Sequence, residues 1–327
     1  MKEAMFYTKK ENNAVVCSLC PHNCEIPESS FGLCLARKNI NGTLYSLTYE
    51  TPSAVHIDPV EKKPLFHFFP GKEILSIGSF GCNFKCRFCQ NYDISMAKPE
   101  QSISLSPKQI ISIAKKENIP MIAYTYNEPT VFYEYVYETA KLAKKSNIKN
   151  VLVTNGYINK KPLLKLLPFI DAANIDFKSY DNSFYKSLCF GSLKPVLDTM
   201  KLMNGKIWIE ITNLIIPNEN DNIGKIREIA KWIRKNLGNV PLHFSRFFPM
   251  YKMLDRSPTP KETLVQAKEA AQKHLDYVYI GNVNLNASDT ICPKCKKTVI
   301  ERKGYQTRSF LKNGRCPFCN HKIPGVF

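Results

Sequence analysis

The sequence predicts an α/β fold: a partial (β/α) barrel of six units, open on one side, with a small metal-binding module at each end of the chain. Two observations predict it. Short apolar runs alternate with amphipathic segments, and eleven of the twelve cysteines fall into three clusters, with Cys189 alone. Repeated β-α units require a parallel sheet covered by helices. The predicted parts are a cysteine-rich module and connector (1–70), the barrel (71–288) and a zinc-ribbon-like tail (289–327).

The order of the elements follows from the position of each run. Apolar runs predict strands at Ile74–Phe80, Met121–Tyr126, Val151–Thr154, Ala172–Ile175, Ile207–Ile211, Leu242–Phe244 and Tyr277–Ile280. Apolar residues at helical spacing predict helices near 107–117, 130–146, 161–168, 193–204, 222–236 and 260–274. Alternating runs between Gly42 and Phe69 predict short strands, and Asp58–Leu65, rich in charge and proline, predicts a polar connector.

Composition places the chain among globular proteins of a reducing compartment. It has 327 residues, of which 44% are hydrophobic, and no run of eighteen apolar residues. The charged start of the chain lacks the apolar segment of a signal peptide, and cysteines at ligand spacing are typical of metal sites rather than disulfides. We therefore expect a cytoplasmic protein without membrane contact. The net charge of +18 favours a polyanionic partner weakly, because the lysines are scattered along predicted helix surfaces.

The central loop, Gly81–Asn91, carries Cys82, Cys86 and Cys89. Three thiolates at this spacing suit a [4Fe–4S] cluster, which takes one thiolate per iron, so that one iron keeps an open position where chemistry can occur. A zinc ion would need a fourth ligand, which the loop does not offer. The pattern therefore favours a reactive cluster over zinc and over three incidental thiols.

Two further cysteine groups flank the barrel. The N-terminal cysteines (Cys17, Cys20, Cys24 and Cys34) suit either zinc or a second iron–sulfur cluster, and we interpret His22 between them as a surface loop residue. The tail cysteines form two Cys-x-x-Cys pairs that are typical of a zinc ribbon: Cys292, Cys295, Cys316 and Cys319. So small a module cannot fold on apolar burial alone, which favours a structural zinc. Rubredoxin-like iron is the alternative, since the same four thiolates bind either metal.

Polar residues follow several predicted strands. They include Asn127, Glu128, Thr154, Asn155, Asp176, Lys178, Glu210, Asn213 and Asn218, and, after the sixth strand of the barrel, His243, Arg246 and Tyr251. Each one alone would be interpreted as a strand-end cap or turn residue. Because barrel chemistry gathers at the carboxyl ends of strands, we expect them to share one mouth. The roles of His243, Arg246 and Tyr251, as substrate or proton contacts or as packed polar groups, stay open.

The spacing Cys82-x-x-x-Cys86-x-Phe88-Cys89 resembles the signature of radical S-adenosylmethionine (SAM) enzymes. The resemblance implies that SAM chelates the open iron and is cleaved to a 5′-deoxyadenosyl radical. Cys20–Cys24 and Asp58–Leu65 resemble a subgroup, the radical SAM component of AmmeMemoRadiSam systems, related to pyruvate formate-lyase activating enzymes. This likeness extends to about residue 283.

The resemblance also implies which residues contact SAM. Asn127 and Glu128 stand where the family has a Gly-Gly-Glu-type motif that meets the amino group of SAM. The residues that match positions lining its ribose and methionine ends are Thr154, Asn155 and Asp176. Phe88 belongs to the same cofactor-binding set, and Lys178 is interpreted as a partner for an anionic group of SAM or substrate. Where activases carry a histidine after a Pro-aromatic pair, this chain has Tyr251.

The predicted function is hydrogen abstraction from an unidentified substrate, with a reductant such as ferredoxin or flavodoxin. We expect a macromolecular substrate, protein or RNA, because metal modules frame the barrel and only thirty residues separate Cys89 from Pro120. Activation of a glycyl radical enzyme is the alternative within catalysis, and Memo-type proteins are the expected partners. A nucleic-acid-binding metalloprotein with a structural cluster is the alternative outside catalysis.

Overall fold

The N-terminal module consists of two small sheets. A computed structural model describes residues 1–99, 103–283, 285 and 288–327. One sheet, in the order β1-β6-β5, and a second, in the order β2-β3-β4, are both antiparallel. Their strands are β1 (Lys2–Glu3), β2 (Tyr7–Lys9), β3 (Val15–Cys17), β4 (Glu25–Ile26), β5 (Arg37–Ile40) and β6 (Thr43–Ser46).

The main sheet has eight strands in sequential order. They are β7 (Ala54–Pro59), β8 (Glu73–Gly78), β9 (Met121–Tyr124), β10 (Lys149–Thr154), β11 (Ala172–Asp176), β12 (Trp208–Ile215), β13 (Leu242–Arg246) and β14 (Val278–Gly281). All neighbouring pairs from β8 to β14 are parallel, whereas β7 pairs antiparallel with β8. The predicted α/β class and the six β-α units are confirmed, with β14 closing the parallel series.

Helices connect the parallel strands and cover the sheet. They are α1 (Tyr92–Ser95), α2 (Pro107–Lys116), α3 (Tyr133–Lys145), α4 (Lys160–Leu166), α5 (Asn182–Phe184), α6 (Leu193–Met203), α7 (Ile223–Leu237) and α8 (Lys261–Gln272). The six helices predicted from periodicity are α2, α3, α4, α6, α7 and α8. Side-chain caps explain two starts: Ser106 forms a capping box with Gln109, and Asn222 accepts from the backbone N–H of Lys225.

The segment after β7 departs from the prediction. Asp58–Leu65 was expected to be a polar connector, but Asp58 and Pro59 are the last two residues of β7 in the main sheet, and a 3-10 turn follows at Val60–Lys62. Asp58, Glu61 and Lys63 are buried, at 6%, 5% and 3% exposure. Burial of these charges is sustained by ion pairs, which the sequence alone does not reveal. The domain boundary after residue 70 stays a prediction, although β7 lies on its N-terminal side.

The tail is a small antiparallel sheet of β15 (Thr290–Ile291), β16 (Thr298–Lys303) and β17 (Gln306–Ser309). Its apolar residues share one buried cluster with Phe66, Tyr277 and Tyr279. The chain end is attached too, because the backbone N–H of Val326 donates to the carbonyl of His67 at 2.8 Å. The tail therefore packs against the sheet through a common core.

Among the helices of the described residues, none combines the length and the apolar character that crossing a membrane needs.

Candidate active site

One large cavity, of about 1420 Å³, lies against the sheet. Side chains from β7 and from β10 to β14 line it, so the sheet curves around it as a partial barrel. The three central-loop cysteines line it as well, and so do Lys303 and Tyr305 from the tail. The cavity therefore brings the central loop, the strand ends and the tail to one place.

The central loop leaves β8 along a path that needs a glycine. Gly81 has a φ of +79°, and a Cβ atom there would lie 2.2 Å from the carbonyl oxygen of Cys34. Only glycine adopts this backbone and permits so close an approach. The position of Cys82 thus depends on contact between the central loop and the N-terminal module.

The three sulfurs lie in a buried and polar setting. Burial raises the pKa of Cys82, and a hydrogen bond with Cys189 together with burial raises the pKa of Cys86. Two groups act in the opposite direction: the N–H of Phe84 donates to the Cys82 Sγ at 3.4 Å, and the Lys178 cation lowers the pKa of Cys86 and Cys89. Burial and the contact with Cys189 outweigh these two groups, so the pKa values of the three thiols stay above the ordinary value and Lys178 offsets only part of the shift.

Asn127 and Glu128 organise the ends of β8, β9 and β10. The Asn127 amide accepts from the N–H of Ser79 at 2.9 Å and donates to the carbonyl of Gly81 at 2.8 Å. The Glu128 carboxylate accepts from the backbone N–H of Thr130 at 3.0 Å and from its hydroxyl at 2.6 Å. Both side chains line the cavity, and burial raises the pKa of Glu128. They hold the strand ends in place while facing the space that the cysteines share.

The residues after β10 are joined to Glu128. The Thr154 hydroxyl donates to it at 2.8 Å, and the backbone N–H of Asn155 donates at 2.7 Å. The Asn155 amide also donates to the Oδ1 of Asn83 at 2.9 Å and lies 4.0 Å from the Cys82 Sγ. Asn155 lines the cavity. Thr154 does not line it, but its hydrogen bond holds the Glu128 carboxylate in position.

Asp176, Lys178 and Phe88 form one wall of the cavity. The Lys178 ammonium donates to the Asp176 carboxylate at 3.1 Å and lies 5.6 Å from the centre of the Phe88 ring. Burial alone would lower the pKa of Lys178, but Asp176 and the neighbouring cysteines raise it above its ordinary value. The structure thus brings together three residues that the sequence predicted from separate segments.

His243, Arg246 and Tyr251 were expected around the same mouth, but the structure separates them. His243 lines the cavity and contacts the buried carboxylate of Glu210 at 2.6 Å. The Arg246 side chain instead donates to the carbonyl of Thr259 at 2.8 Å, and Tyr251 stacks on Tyr92. Neither Arg246 nor Tyr251 is among the described residues that line the cavity.

Sequence reasoning missed a second charged group in the cavity. Asp58 accepts hydrogen bonds from Lys63 at 2.8 Å, Lys62 at 3.0 Å and the Tyr126 hydroxyl at 2.6 Å. Burial alone would raise the pKa of Asp58, but these hydrogen bonds outweigh it and hold the pKa below the usual range. The only sequence signal was an unusual density of charge and proline in Asp58–Leu65, which was interpreted as a connector.

The two terminal cysteine groups differ in geometry. The ligand atoms of the tail cysteines all lie within 4.8 Å of one another, as in a site for a single metal ion. The N-terminal cysteines line a small separate cavity. Within the described residues, no three ligand atoms of this group, whether or not His22 is counted, lie within 4.8 Å of one another. His22 instead contacts the carbonyl oxygen of Asn83 through Nε2 at 2.7 Å.

Comparisons with known proteins bear on the family and the fold of the chain. The Radical SAM superfamily profile matches residues 76–233. The uncharacterized protein MJ0808 of Methanocaldococcus jannaschii is 46% identical over 332 residues, covering 99% of each chain. The putative glycyl-radical enzyme activating enzyme MJ1632 of the same organism is 28% identical, over 69% of this chain and 86% of that one. Streptococcus suis SuiB bound to S-adenosylmethionine matches in fold, with a TM-score of 0.54 and 15% identity over 69% of this chain and 53% of that one.

Proposed function

Because this chain belongs to the radical SAM superfamily, we propose that Cys82, Cys86 and Cys89 bind a [4Fe–4S] cluster and leave one iron for SAM. The chain is an enzyme of the radical SAM type, related to glycyl-radical enzyme activating enzymes, and the family implies both the cluster and SAM. The observation that carries the residue assignment is that these three cysteines line the same large cavity as the polar strand ends.

The residues present fit such a cluster. In the described part of the chain, the three sulfurs of the central loop are not all within 4.8 Å of one another, whereas the four sulfurs of the tail are. This wider separation suits thiolates that bind different irons better than thiolates that bind one ion. The Lys178 cation offsets part of the negative charge of the thiolates. When both groups are bound, the cluster supplies one electron that cleaves SAM to methionine and a 5′-deoxyadenosyl radical.

The strand ends supply the contacts for SAM. We assign the amino group to the surroundings of Asn127 and Glu128, where a buried carboxylate favours a cation. Asp176 has an oxygen facing the cavity and suits a hydroxyl or an ammonium group, while Lys178 suits a carboxylate. Asn155 is assigned to the ribose and methionine side, with Thr154 holding Glu128 from behind. Phe88 provides an apolar face beside them.

The size of the cavity supports a large substrate. Small-molecule sites enclose roughly 300–1,000 Å³, and this cavity of about 1420 Å³ has room for SAM and a segment of a larger molecule. Its charges are paired internally, as in Lys63–Asp58 and Lys178–Asp176, so the lining is not a basic channel for a polyanion. A protein segment therefore suits the cavity better than RNA, and activation of a glycyl radical enzyme is the form of this reaction that relative MJ1632 favours.

The size class of the substrate can be tested by isotope transfer. A cell extract with uniformly deuterated macromolecules is first fractionated by size, and portions of the large fraction are treated with nuclease or with protease. Each portion is then incubated with the enzyme and unlabelled SAM. Deuterium in 5′-deoxyadenosine that is lost after protease treatment supports a protein substrate. Loss after nuclease treatment would favour RNA, and label arising only from a deuterated small-molecule fraction would refute a macromolecular substrate.

The remaining assignments complete the proposal. The tail cysteines hold zinc, a reductant such as ferredoxin or flavodoxin supplies the electron, and the protein acts in the cytoplasm. Membership of the AmmeMemoRadiSam group, with Memo-type partners, is supported by Cys20–Cys24 and by Asp58–Leu65, whose Asp58 and Lys63 line the cavity. Neighbouring genes distinguish the alternatives: Memo-type genes favour this group, whereas a glycyl radical enzyme gene favours an activase.

SAM cleavage tests the proposed function. Anaerobically reconstituted protein, reduced with dithionite, is expected to form 5′-deoxyadenosine and methionine in equal amounts. Cys86→Ala is expected to abolish the products, whereas Ser187→Ala, at an exposed position outside the predicted ligand set, is expected to retain them. Unchanged cleavage by Cys86→Ala would overturn the ligand assignment. An intact cluster without any cleavage would favour a structural cluster in a nucleic-acid-binding protein.

A further inference from the structure

We propose that the N-terminal cysteines bind a second iron–sulfur cluster, of the four-iron class, and that this cluster passes electrons to the central loop. The proposal rests on the proposed function, since the central loop must carry a cluster to receive them. Spacing in the sequence left zinc and iron equally open at Cys17, Cys20, Cys24 and Cys34. Three structural observations favour the cluster.

The first observation is the separation of the sulfurs. Zinc–thiolate bonds of about 2.3 Å place the sulfurs of a tetrahedral site roughly 3.8 Å apart. The tail meets this requirement, with Cys292–Cys319 and Cys295–Cys316 each at 3.6 Å. The N-terminal sulfurs are more widely spread, because no three of them lie within 4.8 Å of one another in the described chain. A four-iron cluster attaches each thiolate to a different iron and needs this wider spacing.

The second observation is the space that the sulfurs surround. All four N-terminal cysteines line one small cavity, whose other walls are mainly apolar and include Leu19, Ile26 and Val131. Arg37 also lines it, is 1% exposed, and donates to the Cys17 Sγ at 3.7 Å. The buried guanidinium is held by an ion pair with Glu134. The site therefore offers four thiols in an apolar surround and a cation that stabilises a group with several thiolates.

The third observation is contact with the central loop. The backbone N–H of Cys82 donates to the carbonyl of Cys34 at 3.1 Å, which joins a ligand of one site to a ligand of the other. The His22 ring contacts the carbonyl of Asn83 at 2.7 Å, and Asn83 lines the N-terminal cavity. The two sites therefore adjoin directly, without an intervening secondary-structure element.

The adjoining sites suit stepwise electron transfer. One electron passes from a low-potential one-electron donor, reduced ferredoxin or flavodoxin, to the N-terminal cluster and then to the central one. No bond is made or broken at the N-terminal site. Cys34 lies between the N-terminal cavity and the loop that leads to the active cavity, so the electron enters the central loop at the contact between Cys34 and Cys82.

The metal content of the full chain tests the proposal. Anaerobically reconstituted wild type is expected to hold about eight irons and one zinc, counting two four-iron clusters and one tetrathiolate zinc. The Cys82→Ala/Cys86→Ala/Cys89→Ala variant leaves the N-terminal site unaltered. It is expected to keep about four irons and one zinc while losing SAM cleavage. Two zincs and no iron in this variant would overturn the second cluster.

The same measurement separates failure of this proposal from failure of the proposed function. If the central loop held no cluster, wild type and the triple variant would contain equal iron. The Cys20→Ala/Cys34→Ala variant is expected to lose about half of the wild-type iron and to keep its zinc. Iron content equal to that of wild type in this variant would also contradict an N-terminal cluster.

Electron paramagnetic resonance tests the electron-transfer step. When both clusters are reduced, the two neighbouring spins interact, so the wild-type spectrum is expected to be broader than the sum of the spectra of the two variants. A wild-type spectrum equal to that sum would show magnetically isolated clusters and would contradict direct transfer between them.

Discussion

Glu210 on β12 and His243 on β13 lie 2.6 Å apart, from carboxylate Oε2 to imidazole Nε2. The same carboxylate accepts from the backbone N–H groups of Phe66 at 3.0 Å and His67 at 2.8 Å. Burial alone would raise the pKa of Glu210, but the hydrogen bond from His243 and the neighbouring charges hold it below its ordinary value. One buried anion thus joins two strands of the barrel to the segment on which the tail packs.

Replacing Glu210 is therefore expected to destabilise the whole fold. Glu210→Ala leaves the backbone donors of Phe66 and His67, the His243 ring and the Trp208 indole without an acceptor in a fully buried position. Removing one partner of a buried pair costs about 3–5 kcal/mol. Chemical denaturation of the variant, compared with Glu269→Ala on the exposed face of α8, measures the cost. A loss no larger than that of Glu269→Ala would contradict the structural role of this anion.

The stability of the protein is expected to depend on His67 in acid. Burial lowers its pKa to about 4, with both ring nitrogens hydrogen-bonded, to the carbonyl of Pro324 and the hydroxyl of Tyr279. The unfolded chain takes up the proton near pH 6.5, so this contribution is complete above that pH and is lost as the pH falls towards 4.

Comparison of wild type with His67→Gln isolates the effect. The difference between their free energies of unfolding is expected to shrink by about 2 kcal/mol between pH 7 and pH 5. Nuclear magnetic resonance of the His67 ring provides an independent readout, with a neutral ring at pH 5.5. A ring that becomes protonated near pH 6.5 would refute the predicted burial effect.

Zinc in the tail is expected to hold β15, β16 and β17 together. Cys295→Ser removes one of four ligands, so the variant is expected to lose its single zinc and to be cleaved within the tail by a protease. Cys189→Ala, outside this module, keeps the zinc. The barrel strands have a main apolar core apart from the cluster that Phe66, Tyr277 and Tyr279 share with the tail, so they are expected to stay folded. A metal-free tail that resists protease would contradict the account.

Asp176 is expected to control the affinity for SAM rather than the formation of the cluster. Its carboxylate lines the cavity and is held by Lys178, so Asp176→Asn removes a charged acceptor while keeping the shape. Loss of one hydrogen bond from a charged group weakens SAM binding by roughly tenfold or more. Iron content should not change. Asp198→Asn, on the exposed face of α6, is the matched control, and equal SAM affinity in both variants would remove Asp176 from the site.

Much of the fold could be predicted from sequence because its signals are local. Apolar runs and helical spacing identified β8 to β14 and the six connecting helices. Short strands were predicted between Gly42 and Phe69, but Asp58 was assigned to a connector, whereas it lies in β7 and lines the cavity. Burial of Asp58 and Lys63 depends on partners that come together only when β7 pairs with β8.

The site could be predicted only in part for a related reason. Residues after parallel strands converge by topology, which brought Asp176, Asn155 and the central cysteines to one cavity. Contact between Glu210 and His243 depends on the relative register of β12 and β13, which no local pattern encodes. The contrast between the two terminal cysteine groups depends on sulfur separation in space, whereas both begin with the same Cys-x-x-Cys spacing.

The central claim is that SAM binds the open iron of a cluster held by Cys82, Cys86 and Cys89. Electron–nuclear double resonance of the reduced protein with SAM carrying ¹⁵N in its amino group tests it most directly, in the Cys20→Ala/Cys34→Ala background so that the central cluster is observed alone. A ¹⁵N coupling that appears with labelled SAM and is absent from Cys86→Ala is the predicted result. A reduced central cluster that shows no ¹⁵N coupling in the presence of saturating SAM would contradict the account.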